Sequence, residues 1–157
     1  MKFATRQDSE LPAEDLFAAI SDFPLAERML VSKGAQVRRL DPSREPGAGM
    51  VWQVGFDFRG KRRDMRLSVI RFDRPENLTM EGVSEMFDLT IEMTVIALTR
   101  AKSRLIFEVE AKPRNMRARL LLQTAKLGKS QLDRQFASRI AYYVAGISGA
   151  HRPRQVR

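Results

Sequence analysis

The order of hydrophobic periods along the chain constrains its fold more than any other feature. A period-two run comes first, two short helical segments follow, then about six further strand-like runs, and a long helical stretch closes the sequence. The turns between the strand-like runs are too short for parallel crossovers, so the sheet they build is antiparallel. Such a sheet buries its face only against another element, and the main candidate is the C-terminal helix. The expected class is α+β, with a curved sheet of about seven strands wrapped on a long C-terminal helix and two short helices after the first strand. A sheet gripping one helix in this way leaves room for a hollow between them.

Residues 2–9 make the first strand. Pro12 opens a helix with Glu14 and Asp15 in its first turn, where carboxylates suit the helix dipole, and Leu16, Phe17 and Ile20 form its apolar face. Asp22-Phe23-Pro24 breaks it and starts a second helix to about Val31, which Gly34 ends. Strands are expected at 35–40, 50–58, 62–72, 78–84, 87–98 and 104–111, with Gly82 a candidate bulge. Met50, Trp52, Val54, Phe56 and Phe58 alternate onto one face, as do Leu89, Ile91, Met93 and Val95, and then Leu105, Phe107 and Val109. Arg59-Gly60-Lys61 signals a tight hairpin, and Arg71 falls in phase with Met65, Leu67 and Val69.

From about residue 114 to 148 the period becomes helical. Ala118, Leu121, Leu122, Ala125, Leu132, Phe136, Ile140, Tyr143 and Ile147 share one stripe. Unbroken, that helix would run to about 50 Å. Gly128 is placed to kink it and Ser130 to cap a fresh start. Lys129 sits on the apolar stripe, where its stem packs and its ammonium either snorkels to water or serves as a cation at a cavity mouth. Residues 1–148 read as one domain and 149–157 as a basic, flexible tail.

Charge is concentrated at one end. From position 112 onward there are eleven Lys/Arg and one acid, Asp133, so the formal +9 sits on this segment. Met116, Leu120 and Leu127 lie opposite the main stripe, among Arg117, Arg119 and Lys126. The pattern suits an anionic membrane surface or an acidic protein better than nucleic acid, because no RNA-recognition signature accompanies it. The bland alternative is a solvated basic helix. Zero cysteines exclude disulfides and thiolate sites. No apolar run approaches the ~18 residues of a membrane span, and residues 1–10 carry no apolar signal core, so a cytoplasmic protein is expected.

Three stretches resemble the START-like superfamily, also described as polyketide cyclase/dehydrase and lipid transport, Bet v 1-like or SRPBCC proteins. They are the opening segment ELPAEDLFAAISD at 10–22, the PGAGMVW at 46–52 with Phe58-Arg59-Gly60, and the run from Val69 to Asn77 through Phe72-Asp73-Arg74-Pro75. Where the family often has a tryptophan after the first helix, this chain reads Phe23-Pro24-Leu25-Ala26-Glu27-Arg28. The resemblance implies a helix-grip fold with an internal apolar cavity. It implies no single function, since members include carriers, cyclases and chaperone-like binders.

In such a fold Trp52, Val54, Phe56, Leu67, Leu89, Ile91, Phe107, Leu132 and Phe136 would line the cavity, with Arg71 and Lys129 as its candidate polar contacts. Trp52 and Phe56 read equally well as plain core. No catalytic residue is assigned: His151 is the one histidine and sits in the basic tail, and Gly47-Ala48-Gly49 lacks the later glycine and following helix of a phosphate loop. Glu81, Glu85 and Glu92 alternate with apolar residues and are read as outward. No metal or cofactor is expected. Three functions stay open: a binder or carrier of an apolar small molecule or lipid, a cyclase- or dehydratase-type enzyme acting by confinement, and an interaction protein using its basic helix. Oligomeric state is open as well.

Overall fold

The computed structural model describes residues 1–150. Its elements are β1 (Lys2–Ser9), α1 (Ala13–Ile20), α2 (Phe23–Ser32), β2 (Gln36–Arg39), β3 (Val51–Phe58), β4 (Lys61–Asp73), β5 (Asn77–Ser84), β6 (Phe87–Ala97), β7 (Ser103–Pro113), α3 (Met116–Lys126) and α4 (Lys129–Ala150). The seven strands form one antiparallel sheet in the order β1-β7-β6-β5-β4-β3-β2. This is the helix-grip architecture.

Local chemistry explains the punctuation. Asp22 accepts the Leu25 N–H at 3.1 Å and caps α2, and Asn115 accepts the Ala118 N–H at 2.8 Å and caps α3. Arg59 and Gly60 both have positive φ (53° and 71°), the two-residue hairpin pattern whose twist matches its strands. Asp41 organises the loop before β3: its carboxylate accepts from the Arg39 guanidinium and from the backbone N–H groups of Ser43 and Val51, which hold its pKa well below the usual carboxylate range.

Two expectations are corrected. The bulge lies in β4, between Val69 and Arg71, and not at Gly82, whose register with Leu67 and Leu89 is unbroken. The extra residue, Ile70, reverses the alternation. Phe72 turns inward against Phe17 at 5.3 Å, and Arg71 turns outward to pair with Asp73. The C-terminal helix is interrupted at Leu127 and Gly128, as expected of Gly128, but the new helix, α4, begins at Lys129 without Ser130 as its cap. α4 runs to Ala150, two residues into the expected tail, and alone spans about 33 Å. The rest of that tail, with His151, lies outside the described residues.

The close-packed core sits at one end of the sheet. There α1 and α2 bring Leu16, Phe17, Ile20 and Phe23 against Val69, Leu78, Val95 and Leu105, with Val144 and Ile147 of α4 closing over them. Ser103, fully buried, donates to the Leu11 carbonyl at 2.6 Å, so the β6–β7 turn is tied to the β1–α1 connection.

Candidate functional site

Cross-strand register identifies which side chains share the inner face. Trp52 pairs with Leu67, Gly82 and Leu89 along one row; Val69, Met80, Ile91 and Val109 form the next; Met93 and Phe107 follow. Near α1 and α2 these inward residues are buried. Toward α3 they are not: Phe56, Met65, Leu67, Met80, Leu89, Ile91 and Val109 are only half-buried. Side chains that face inward across a sheet and still touch solvent are not covered by the helix opposite, so the α3 end is where a hollow would lie.

The expected lining separates accordingly. Trp52 and Val54 belong to the close-packed core. The Trp52 ring lies 5.2 Å from Phe23 and 5.3 Å from the Arg39 guanidinium carbon, and its indole N–H donates to Glu27 at 2.9 Å. Phe56, Leu67, Leu89 and Ile91 lie on the inner face and are half-buried. Phe107 and Phe136 meet each other at 5.9 Å between sheet and α4, where Phe3 and Tyr143 complete an aromatic cluster, and Leu132 is half-buried one turn before Phe136. Lys129 places its ammonium 4.4 Å from the centre of the Phe3 ring and pairs with Asp133. Arg71, exposed on the outer face, stands away from these inward side chains.

One residue escapes the sequence reading. Arg63 pairs with Phe56 across β3 and β4, so it points to the inner face, and its Nε is buried without a hydrogen-bond partner. The signal was available, because stepping back by two from Met65 reaches it. Arg63 lines an opening of about 380 Å³ beside α3. The β3–β4 hairpin contributes Phe58, Arg59 and Arg63, the β5–β6 turn contributes Met86, and α3 contributes Arg117, Leu120, Leu121 and Thr124. A second groove of about 320 Å³ lies at the opposite end, between the end of β1 and the end of α4, where Ser9 and Ser148 hydrogen-bond at 2.7 Å.

Burial, with a smaller contribution from the Asp22 charge, pushes the Tyr143 phenol up to about 12 from its ordinary 10.0. The fold thus favours the neutral phenol. Its contribution to stability is intact below about pH 10 and is lost as the pH rises through 12. Tyr142→Phe leaves Tyr143 as the single tyrosine, and its absorbance titration is expected to have its midpoint near 12. A midpoint at 10 would mean that the aromatic cluster is open to water.

Among the described residues no group of three His, Asp or Glu side chains is arranged to hold a metal, and no helix is long and apolar enough to cross a membrane.

No protein-family model and no curated protein sequence matches the chain. Solved structures do. The Zhui aromatase/cyclase from Streptomyces sp. R1128 superposes with a TM-score of 0.66 at 13% identity, over 100% of this chain and 96% of that one. Norcoclaurine synthase from Thalictrum flavum gives 0.66 at 10% identity, over 96% and 85% of the two chains. A START superfamily protein from Mycobacterium smegmatis gives 0.53 at 14% identity, over 85% and 95%. At such identities the likeness establishes the fold and nothing finer.

Proposed function

We propose that this START-like helix-grip fold binds an apolar small molecule or lipid in the hollow at its α3 end. The observation that carries the reading is the half-burial of Phe56, Met65, Leu67, Leu89 and Ile91 on the inner face, while inward residues at the other end are packed shut. Apolar surface facing an open concavity is what an apolar ligand covers. Native mass spectrometry after gentle purification is expected to show an adduct, or uptake of the uncharged dye N-phenylnaphthylamine if the ligand has been lost. A protein that carries no adduct and takes up no dye would reject the reading.

Gly82 offers a sharper handle. A Cβ there would lie 2.8 Å from the Met65 sulfur and 3.1 Å from a Leu67 methyl. Gly82→Leu should therefore push the Met65 and Leu67 side chains into the hollow, abolish dye uptake and cost about 1–3 kcal/mol by overpacking. Retained uptake would place the ligand elsewhere.

A cyclase- or dehydratase-type enzyme would use the same hollow, with the Arg63 guanidinium polarising a carbonyl. Loss of product in Arg63→Met with ligand binding retained would distinguish it. The exposed side chains of α3 and its C-cap, some of which also border the opening, suit a separate partner. Met116, Leu120 and Leu127 are 65%, 56% and 90% exposed beside Arg117, Arg119 and Lys126, a composition that suits an anionic membrane surface. Each such charge contributes about 1 kcal/mol near an anionic bilayer, so Arg117→Glu/Arg119→Glu/Lys126→Glu should abolish sedimentation with anionic vesicles. Equal sedimentation of variant and wild type would leave α3 as a solubility feature.

A further inference from the structure

We infer that the ligand of this hollow is an amphiphile with an anionic head, a carboxylate or a phosphate monoester, held at the α3 opening by Arg63 with Arg59 and Arg117. The inference rests on the hollow being a ligand site and adds the chemistry of its mouth. Three guanidinium side chains line one opening, and no acidic residue lines it. Elsewhere several basic residues are matched, Arg39 with Asp41, Arg71 with Asp73, Arg104 with Asp8 and Arg114 with Asp88, while others such as Arg38 and Arg66 form no ion pair among the described residues but line no opening with further guanidinium groups. Among the described residues Arg59, Arg63 and Arg117 form no ion pair, and the Arg59 guanidinium meets only the Phe58 ring, at 5.9 Å.

Arg63 is the strongest of the three. Its Nε is buried without an acceptor, a costly state for a charged donor and one that an incoming oxyanion would relieve. The guanidinium fork matches the two oxygens of a carboxylate or phosphate. Phe56 faces it across the hairpin, and Met65 and Leu67 continue its inward row along β4, so a tail attached to such a head would run along these half-buried apolar side chains. The opening is thus cationic at its rim and apolar within.

The test displaces N-phenylnaphthylamine with dodecanoate, dodecyl phosphate and dodecanol, which share one tail. Wild type is expected to prefer at least one anionic probe over dodecanol by roughly tenfold to a hundredfold, the range of a charge-assisted contact. The ratio of the two anions tells carboxylate from phosphate. Arg63→Met should bring the anions down to the dodecanol affinity while dodecanol itself binds as before, which also reports that the variant is folded. Arg117→Gln, on an exposed helix position, should lower the preference several-fold. Equal affinity for all three probes in wild type would overturn the anionic head and leave the apolar site standing. A preference undiminished in both variants would also overturn the assignment to these arginines. Failure of every probe and of the dye would reject the hollow as a ligand site, and this inference with it.

Discussion

Trp52→Ala is expected to lower the unfolding free energy by about 3–5 kcal/mol, the loss characteristic of a large aromatic removed from a closed core. The ring is 4% exposed and packs from β3 against Phe23 of α2 and Arg39 of β2. Its removal would strip Phe23 of a partner 5.2 Å away and leave the half-buried Glu27 carboxylate without its indole donor. Chemical denaturation measures the change directly. A loss under about 1 kcal/mol would mean that the ring borders open space and that the hollow extends further toward α2 than described.

A paired comparison carries the second large effect. Phe17 is 0% exposed and packs edge-on to Phe72, at the junction of α1 and the sheet. Phe17→Ala should cost about 3–5 kcal/mol. Phe56→Ala removes the same side chain from the inner face of β3, but at a half-buried position with fewer neighbours. Its cost should be about 1–2 kcal/mol, with uptake of apolar dye reduced instead. Equal losses at the two positions would show that both ends of the sheet are packed alike.

Much of this architecture was legible in the residues. Alternation of large aromatics against polar residues gives the phase of β3, and the same reasoning holds for β6 and β7. Where the reading failed, a single local event reversed the phase. The bulge at Ile70 carries no turn residue to announce it, so Arg71 read as in phase with the inward Val69. Trp52 posed a different problem. Whether an inward tryptophan is core or lining depends on what stands across from it, and its neighbour, Phe23, comes from a helix placed by contacts far along the chain. Arg63 was missed for the opposite reason: its phase was readable, but an arginine beside Arg62 at a hairpin looks like solvated surface. Pocket chemistry depends on what fails to pair, and pairing is visible only in three dimensions.

The sheet joins β1 to β7, with the Met1 nitrogen donating to the Ala111 carbonyl across 110 positions. This pairing dictates an order of assembly. The meander from β3 to β6 needs only neighbouring residues and short turns, whereas β1 must wait for the most distant strand to arrive. During synthesis β1 therefore emerges early and stays unpartnered, and β6 presents a bare edge until β7 is made. Bare edges recruit strands from other chains. The interval between translation of β6 and docking of β7 is consequently when this chain is most exposed to misassembly, and substitutions that slow β7 should reduce yield more than their equilibrium cost suggests.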